Sequence, residues 1–477
     1  MSAENLHNQE NQNSSDKFRD SINTIDNSTG SRKWIYPKKP KGRFYEWRKI
    51  VSYFLLVFLF VTPFIKVHGR PFLLLNIFER EFILFSFAFG PYDNHIFVLI
   101  FIAFLVFIVL FTAIFGRVFC GWICPQTIFM EMVFRRIEYW IDGDYRQQKA
   151  LKEAPMDGKK FFKRALKLFL FLIISSMVAH TFMAYLIGMD AVIKVVTHPP
   201  AEHMTGFIAT VGFTGLFFFI FTWFREQACV IVCPYGRLQS VLLDQNSLII
   251  AYDYHRGEPR GKLKKGEERT EGDCIDCKLC VDVCPTGIDI RNGLQLECVN
   301  CTACIDACDD VMVKINKPKG LIRYDSLKGI EEKSGYKLTT RVFLYTALLS
   351  LLLVLIVVLF VIRTDVEVNV LRTPGMLYQE VDSTHISNIY NFHLINKTFD
   401  KMPIELKLAG SKGRIEILDD SLYVNPNSVY EGKFRIIMDK KDVTKLNEVL
   451  YVEVYTSGKQ SDLIKTSFLT HLRGVKR

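Results

Sequence analysis

The sequence of 477 residues lacks the motifs by which many enzymes are recognised. No glycine-rich loop that could cradle a phosphate follows a predicted strand, and no dinucleotide fingerprint is present. The serine elbow of a Ser/His/Asp hydrolase is also missing. The sequence therefore indicates neither a hydrolase nor an enzyme that binds a nucleotide cofactor of its own.

Charged residues are almost absent from five long stretches, which are rich in Phe, Leu, Ile and Val. A helix needs about 20 apolar residues to cross the hydrocarbon core of a bilayer. Each stretch reaches or approaches that length, which predicts five transmembrane helices at Ile50–Ile65, His95–Phe115, Leu168–Gly188, Gly206–Phe224 and Val342–Ile362. No small-residue cleavage site follows the first stretch, so we expect it to remain as an anchor.

Lys and Arg are scarce in every second connection between these stretches. Arg32–Lys49 holds eight, Gly116–Lys167 eleven and Arg225–Arg341 18, whereas Lys66–Asn94 holds three and Met189–Thr205 only one. Basic connections stay on the cytoplasmic side of a membrane. The N-terminus and the basic connections are therefore predicted to lie inside and the C-terminal tail outside. The net charge of +10 then needs no nucleic-acid partner, and no nucleic-acid-binding motif is present.

Cysteine is absent from the predicted outer segments, which argues against structural disulfides. Eight of the 12 cysteines lie instead in one stretch between Cys274 and Cys308. Its repeated spacing, C-x2-C-x2-C-x3-C, is typical of a bacterial ferredoxin with two [4Fe-4S] clusters. Zinc is the alternative, but zinc sites favour separated CxxC pairs or mixtures of Cys and His.

In such ferredoxins the fourth cysteine of each repeat binds the cluster of the other repeat. One predicted ligand set is therefore Cys274, Cys277, Cys280 and Cys308, and the other is Cys298, Cys301, Cys304 and Cys284. Pro285 follows the first fourth cysteine, but Asp309 follows the second, so the local turn is expected to differ there.

The remaining cysteines form two further motifs, "CGWICP" at Cys120–Pro125 and "CVIVCP" at Cys229–Pro234. On a helix, the two thiols of each pair would share one face, and the proline would stop or kink the helix. Paired thiolates are soft ligands that suit Cu(I) above all, and then zinc or iron–sulfur. The alternative is two inert thiol pairs that pack as small apolar side chains.

From about Trp34 onward the chain resembles the polyferredoxin-type membrane proteins called CcoG, FixG or RdxA, accessory proteins of cytochrome c oxidase. The resemblance rests on the order of the helices, on "CGWICPQT" and "CVIVCPYGRLQS", on the double motif ending "CIDACDDVM", and on a C-terminal β-domain. It implies a protein of the bacterial inner membrane that reduces Cu(II) and supplies Cu(I) for assembly of a cbb-type oxidase. It also implies that the copper thiolates are Cys120, Cys124, Cys229 and Cys233, with copper bound only transiently.

Three functions are therefore considered. The first is a cupric reductase, an oxidoreductase in which the ferredoxin domain passes electrons to copper at the membrane cysteines. The second is an electron-relay subunit of a quinol-oxidising chain, and the third is a non-enzymatic scaffold for oxidase assembly. The expected partners are oxidase subunits or copper-delivery proteins, an electron donor that the sequence does not identify, and membrane lipid, but no nucleic acid.

Four histidines are weaker candidates for metal binding. His180 lies in the third apolar stretch between Met177 and Met183, and a soft Met/His face could pass copper through the membrane. His95, His198 and His203 lie near predicted outer helix ends, where they could bind haem or copper. Core packing is the commoner role for a residue such as His180, and exposed loop positions are commoner for the other three.

The predicted fold is a multi-domain membrane protein: an α-helical bundle of about five transmembrane helices, an inserted two-cluster ferredoxin-like domain and a C-terminal immunoglobulin-like β-sandwich. The segment between the first two helices is apolar but interrupted by Glu79, Arg80 and Glu81, which suits an interfacial or re-entrant segment. The predicted parts are a flexible basic N-terminus (1–49), four transmembrane helices with both CxxxCP motifs (50–240), the ferredoxin domain and linker (241–340), a fifth helix (341–363) and the β-domain (364–477).

Overall fold

A computed structural model describes most of the chain. The described residues are 25, 31–67, 69–78, 81–85, 87–89, 94–262, 271–333, 337–364, 366–373, 378–398, 401–410, 412–418, 423–426, 428–443, 445–456 and 459–470. Nearly all of the N-terminal tail predicted to be flexible, together with Glu79 and Arg80, lies outside these residues. The chain forms two compact units, which comprise Met1–Pro71 with Phe101–Leu353, and Phe72–Ile100 with Val354–Arg477.

Helices dominate the first unit. In chain order the α-helices are α1 Arg43–Val61, α2 Asn94–Phe115, α3 Val118–Trp122, α4 Pro125–Ile128, α5 Arg135–Ile141, α6 Tyr145–Glu153, α7 Gly158–Ile187, α8 Met189–Thr197, α9 Met204–Phe219, α10 Pro234–Leu242, α11 Tyr254–Gly257, α12 Leu279–Asp282, α13 Ala303–Lys314, α14 Leu327–Glu332 and α15 Thr340–Ile362. Tighter 3-10 turns cover Thr62–Phe64 and Ile290–Asn292, and wider π-helical turns cover Phe129–Phe134, Ile220–Phe224 and Ala228–Val232.

The prediction of five transmembrane helices is confirmed by length and composition. The candidate spans in the described residues are Arg43–Phe64, His95–Phe115, Gly158–Ile187, Met204–Phe224 and Thr340–Ile362. The first begins seven residues before the predicted start, and the third begins ten residues before it. Both extensions consist of polar and basic turns that hydropathy alone does not assign to a membrane helix.

The start of α1 is fixed from a distant part of the chain. Asp306 in α13 accepts hydrogen bonds from the backbone N–H groups of Phe44 (3.1 Å) and Tyr45 (2.8 Å). The first N–H groups of a helix have no partner within the helix, so this carboxylate caps it. Gly42 has a φ of 143°, and a Cβ there would collide with the Asp306 carboxylate. The ferredoxin motif is thus tied directly to the first membrane helix.

Aromatic side chains and one buried ion pair hold the helices of this unit together. Phe134 stacks on Phe221 with ring centroids 4.3 Å apart and meets the edge of Phe171 at 4.7 Å. Beside them, Arg225 donates two hydrogen bonds of 2.8 Å to the Glu138 carboxylate. Burial alone would raise the pKa of Glu138, but Arg225 outweighs that effect and holds this pKa below its ordinary value. The pair is therefore charged in the folded state.

The strands fall into short sheets and one larger β-domain. They are β1 Lys66–Val67, β2 Arg70–Pro71, β3 Leu73–Asn76, β4 Glu81–Leu84, β5 Phe87–Phe89, β6 Ile249–Tyr252, β7 Ile322–Asp325, β8 Val366–Arg372, β9 Gln379–Glu380, β10 His385–Asn396, β11 Met402–Ala409, β12 Gly413–Ile417, β13 Tyr423–Val424, β14 Ser428–Asp439, β15 Asn447–Thr456 and β16 Lys459–Leu469. The antiparallel pair β6–β7 frames the ferredoxin domain, and the segment predicted to be interfacial or re-entrant forms the antiparallel sheet β3–β4–β5.

The C-terminal region is the predicted immunoglobulin-like β-domain. One antiparallel sheet has the order β12-β14-β10-β8, with β9 also paired to β10, and the other has the order β13-β11-β15-β16. Inward side chains from both sheets form one core, with Tyr390, Phe392, Phe434 and Phe468 completely buried. Alternation of buried and exposed positions along the strands produces this core, as in other sandwiches.

Candidate redox and metal centre

The eight ferredoxin cysteines line two cavities in the first unit. The buried cavity is lined by Cys284, Cys298, Cys301 and Cys304, and also by Cys280, which lines both cavities. The open cavity is lined by Cys274, Cys277, Cys280 and Cys308. Each cavity thus brings together three cysteines of one repeat and the fourth cysteine of the other, as the crossed ligand sets require.

The chemistry and spacing of these side chains fit iron–sulfur clusters. The remaining walls are mostly apolar, and include Ile288 and Val299 in the buried cavity and Met312 and Ile322 in the open cavity. Nowhere in the described ranges do three His, Cys, Asp or Glu side chains converge closely enough to hold one metal ion. A cubane separates its four thiolates more widely than a zinc ion does, so the residues fit [4Fe-4S] better than zinc.

The two repeats share an unusual backbone conformation. Asp276 and Lys278 flank Cys277 with φ values of 51° and 57°, and Asn300 and Thr302 flank Cys301 with 53° and 66°. Left-handed residues are rare outside glycine, and a β-branched residue such as Thr302 adopts this conformation only under constraint. Successive N–H groups in such turns form an anion-binding concavity. The loops are therefore shaped to surround a negatively charged group.

The cavities differ in exposure. Cys298, Cys301 and Cys304 are all buried, and so are Cys274 and Cys280, but Cys277 in the open cavity is exposed. Burial raises the pKa of the Cys298 thiol to about 12 and that of Cys301 to about 11. Thiols with such pKa values release protons only when a metal binds.

The second repeat has Asp309 where the first has Pro285, and this difference changes the local structure. The short helix α12 ends at Asp282, shortly before Cys284. Pro285 follows Cys284, and a proline cannot continue a helix. Asp309 imposes no such limit, so α13 runs on through Cys308 to Lys314. The Asp309 carboxylate accepts a hydrogen bond of 2.9 Å from the Gly320 backbone. The second repeat therefore ends within a helix where the first ends in a loop.

The CxxxCP motifs do not place both thiols on one helix, so that prediction is wrong. Cys120 lies in α3, but Cys124 is the N-cap of the next helix, α4, whose first residue is the proline. Cys229 lies in a π-helical turn, and Cys233 is in the same way the N-cap of α10. Proline is favoured at the first position of a helix, so it starts the second helix of each motif.

The structure nevertheless brings the two motifs together. Every pair among Cys120, Cys124, Cys229 and Cys233 is close enough for electrostatic interaction between the thiols, and we call these residues the four-thiol site. Burial raises the pKa of Cys120 to about 11 and that of Cys229 to about 12. In the described part of the chain no three of these thiols are close enough to hold one metal ion, so a copper ion bound by three or more of them would have to draw them closer.

Two side chains that sequence reasoning missed join the motifs. The Cys120 thiol donates a hydrogen bond of 2.9 Å to the Gln239 Oε1 atom, and Gln239 is fully buried in α10. Arg117 donates hydrogen bonds to the carbonyl oxygens of Leu296 and, at 3.0 Å, Gly236. Arg117 and Gln239 each lie a few residues from a cysteine in the sequence. Only the folded chain shows that Arg117 reaches the segment of the second motif and that Gln239 reaches the first motif.

The four-thiol site lies directly against the ferredoxin domain. Cys120 packs against a buried cluster formed by Val283, Val299, Cys301 and Ala303. A Cβ on Gly121 would lie 2.5 Å from the Val299 carbonyl oxygen and 2.9 Å from the carbonyl carbon of Asn300. The backbone of the first CxxxCP motif therefore touches the loop that lines the buried cavity.

Among the described residues, the four candidate histidines belong to no group of three or more His, Cys, Asp or Glu side chains that could hold a metal ion. His180 contacts the Ser176 carbonyl oxygen through Nδ1 at 2.7 Å and lines a membrane-level cavity with Met177, whereas Met183 packs elsewhere, against Ala184. The rings of His198 and His203 lie edge to face, with centroids 5.7 Å apart. His95 is exposed, so any ligand role for these residues stays a prediction.

Comparison with known families places these features in context. Residues 224–327 match a 4Fe-4S dicluster domain, residues 97–145 a 4Fe-4S binding domain, and residues 356–471 the IG-like fold at the C-terminal of FixG. The predicted ferredoxin and immunoglobulin-like parts are thereby confirmed. Both CxxxCP motifs fall within the two iron–sulfur matches.

Full-length relatives support the same assignment. Protein RdxB of Cereibacter sphaeroides is 35% identical over 383 residues, which cover 77% of this chain and 80% of that protein. Protein RdxA of the same organism is 32% identical and covers 80% and 83%. Nitrogen fixation protein FixG of Rhizobium meliloti is 35% identical and covers 62% and 58%. The chain therefore belongs to the FixG/RdxA family of ferredoxin-type membrane proteins and is an iron–sulfur electron-transfer protein.

Proposed function

We propose that this electron-transfer protein is a cupric reductase, which binds Cu(II) at the four-thiol site and releases Cu(I). One observation carries the proposal: the four thiols of two separate motifs lie within range of electrostatic interaction, and the first motif touches the backbone of Val299 and Asn300 at Gly121. A redox-inert thiol pair would not need to lie against the loop that lines the buried cavity. In a cupric reductase, this contact would allow electron transfer over a short distance.

The chemistry of the site suits this reaction. Each Cu(II) takes up one electron and becomes Cu(I), the state that soft thiolate ligands stabilise. When bound, [4Fe-4S] clusters supply such single electrons. Because the sequence has no nucleotide-binding motif, the reductant is expected to be a reduced one-electron carrier protein. Binding of copper would displace protons from Cys120, Cys124 and Cys229, whose pKa values are all raised by burial.

The wider role of the protein follows from its family resemblance and the charge of its connections. Cu(I) would be supplied for assembly of a cbb-type cytochrome c oxidase, through oxidase subunits or copper-delivery proteins. The protein would lie in the inner membrane of a bacterium, with its N-terminus and clusters in the cytoplasm and its β-domain outside. The alternation of basic and non-basic connections supports this orientation.

A second candidate for the four-thiol site is a third iron–sulfur cluster. The wide spacing of the thiols and the match of residues 97–145 to a 4Fe-4S binding domain favour it. The chain would then be an electron relay that binds no copper. A pure scaffold for oxidase assembly would need no convergence of these thiols at all.

Metal analysis of the full-length protein, purified anaerobically in detergent, separates these functions. We compare the parent with a variant in which all four cysteines are serine, and use His180→Ala as a control for copper bound elsewhere. A cupric reductase should hold about eight iron atoms in both proteins. Only the parent should bind Cu(II) and, once its clusters have been reduced with dithionite and the excess dithionite has been removed, form about two Cu(I) ions per chain, one for each reduced cluster.

Other results would reject the proposal. About twelve iron atoms in the parent and about eight in the serine variant would indicate a third cluster. Equal copper reduction by the two proteins would remove the four-thiol site from the reaction. If neither protein bound copper and iron were unchanged, the relay or scaffold function would replace it.

A further inference from the structure

The fold alone does not account for the buried positive charge of Arg48. Only 2% of this residue is exposed. Its Nε donates a hydrogen bond of 2.7 Å to the Gly121 carbonyl oxygen. Its Nη2 is buried without a hydrogen-bond partner, and no carboxylate pairs with it, within the described ranges of the chain. A buried charge is costly unless an opposite charge lies nearby.

The position of Arg48 shows where that opposite charge belongs. Gly121, whose carbonyl group Arg48 binds, touches the backbone of Val299 and Asn300. Cys301 follows immediately and lines the buried cavity. Four thiolates and an iron–sulfur core carry a net negative charge in this cavity, so the residues around Arg48 fit a bound cluster. The unpartnered Nη2 is then available to an anionic neighbour.

The arginine that lines the open cavity differs from Arg48 because it has counterions. Arg291 lines that cavity and forms ion pairs of 2.6 Å with both Asp276 and Asp289. Two carboxylates thus neutralise its charge, whereas the positive charge of Arg48 has no counterion in the described residues. The net electrostatic effect of the two arginines on their neighbouring cavities must therefore differ.

Burial and charge act in opposite directions on cluster reduction. Reduction adds a negative charge, which a buried, weakly polarisable site disfavours. If burial alone decided, the cluster in the buried cavity would therefore be the harder of the two clusters to reduce. A nearby uncompensated cation favours the added charge and raises the reduction potential.

We infer that Arg48 raises the reduction potential of the cluster held by Cys284, Cys298, Cys301 and Cys304 above that of the cluster at the exposed Cys277. An electron that enters at the open cavity is then held at the buried one, beside the four-thiol site. Arg48 is a positioning residue in this scheme. The destination of the electron rests on the proposed function, but the order of the two potentials does not.

A redox titration followed by electron paramagnetic resonance tests the inference on the full-length protein without copper. Arg48→Gln should make reduction of one cluster at least about tenfold less favourable, a shift of 59 mV for one electron, and leave the other unchanged. Arg48→Lys keeps the charge and should retain most of the parent potential. Arg136→Gln, which removes an arginine that binds Tyr53 at an exposed position, is the control and should shift neither cluster.

Each other result counts against the inference. Unchanged potentials in an Arg48→Gln protein with full iron content would show that the charge is irrelevant. Loss of one cluster from both Arg48 variants would show that Arg48 acts in assembly and does not set the potential. The all-serine variant of the four-thiol site should keep both parent potentials. A loss of copper reduction with unchanged cluster potentials therefore concerns the four-thiol site and leaves the inference about Arg48 untouched.

Discussion

The fourth cysteines of the two repeats line different cavities. Cys284 lies with the second repeat and Cys308 with the first. Cys284→Ser should therefore damage the cluster in the buried cavity, and Cys308→Ser the cluster in the open cavity. Each single variant should lose about half of its iron, measured by chemical analysis of protein purified without oxygen.

The same pair of variants tests the zinc alternative. Full iron retention in both, or several tightly bound zinc ions per chain in place of iron, would contradict the crossed ligand sets. Because Cys277 is exposed and Cys301 is buried, loss of the open-cavity cluster should also slow reduction by a protein donor more than reduction by dithionite.

Gly121 is placed where any side chain would press on another backbone. Its added Cβ would lie 2.5 Å from the Val299 carbonyl oxygen, and neither backbone can move without disturbing Cys120 or Cys301. Gly121→Ala should therefore cost about 1–3 kcal/mol through overpacking. We expect a lower midpoint for thermal loss of the iron–sulfur absorbance, together with weaker copper binding.

The control for this substitution is a glycine in the membrane. Gly212 lies in α9, and nothing lies within 4 Å of its added Cβ. Gly212→Ala should leave both measurements close to those of the parent. Equal behaviour of the two variants would mean that the tight contact at Gly121 does not matter to the site.

At the scale of elements, a cap supplied from far along the sequence links α1 and α13. Asp306→Ala would remove the acceptor for two N–H groups of the first turn of α1, together with a favourable charge at its N-terminus. The expected loss is about 1–2 kcal/mol. Thermal unfolding in detergent should show it as a lower midpoint.

Asp310 offers a matched control on the same helix. It is largely exposed, and its one ion pair among the described residues is with Lys314, one turn away. Exposed pairs of this kind contribute about 0.2–1 kcal/mol at most, so Asp310→Ala should change the midpoint little. A midpoint for Asp306→Ala that matched this control would reject the cap as a link between the two helices.

The accuracy of sequence reasoning varies between elements for physical reasons. Membrane helices are predictable because the bilayer demands a local run of apolar residues, and all five predicted helices are present. The start of α1 is not predictable, since its cap comes from Asp306 in a distant segment. Single strands are harder to predict: the pattern of "KQSDLIKTSFL", which forms β16, is only weak evidence of a strand.

The cysteine motifs show the same contrast. Ferredoxin spacing is a local signal, because the cluster itself dictates which thiols must be close. The CxxxCP spacing indicates the residues but not their geometry, since a proline can either stop a helix or start one. Arg48 and Gln239 could not be selected from the sequence, because each acts on a residue that is distant along the chain.

At the scale of the whole molecule, the functional residues are concentrated in one of the two compact units. Both cluster cavities and the four-thiol site lie in the unit that contains Phe101–Leu353. The other unit contains the β-domain, in which no cysteine occurs. This division agrees with a predicted difference in redox compartment, because thiol ligands persist where thiols stay reduced.

The membrane orientation is the prediction on which that compartment argument depends. Connections with eight, eleven and 18 Lys and Arg residues alternate with connections that have three and one, and the basic ones are expected in the cytoplasm. A reporter that is active only outside the cytoplasm should work when fused near Thr197 or after Arg477, which lies beyond the described residues. It should stay silent after Lys149 or Lys319, where a reporter that is active only in the cytoplasm should work instead. Activity of the outside reporter at Lys319 would place the clusters outside, so that neither the reduced state of their cysteines nor a cytoplasmic electron donor could be maintained.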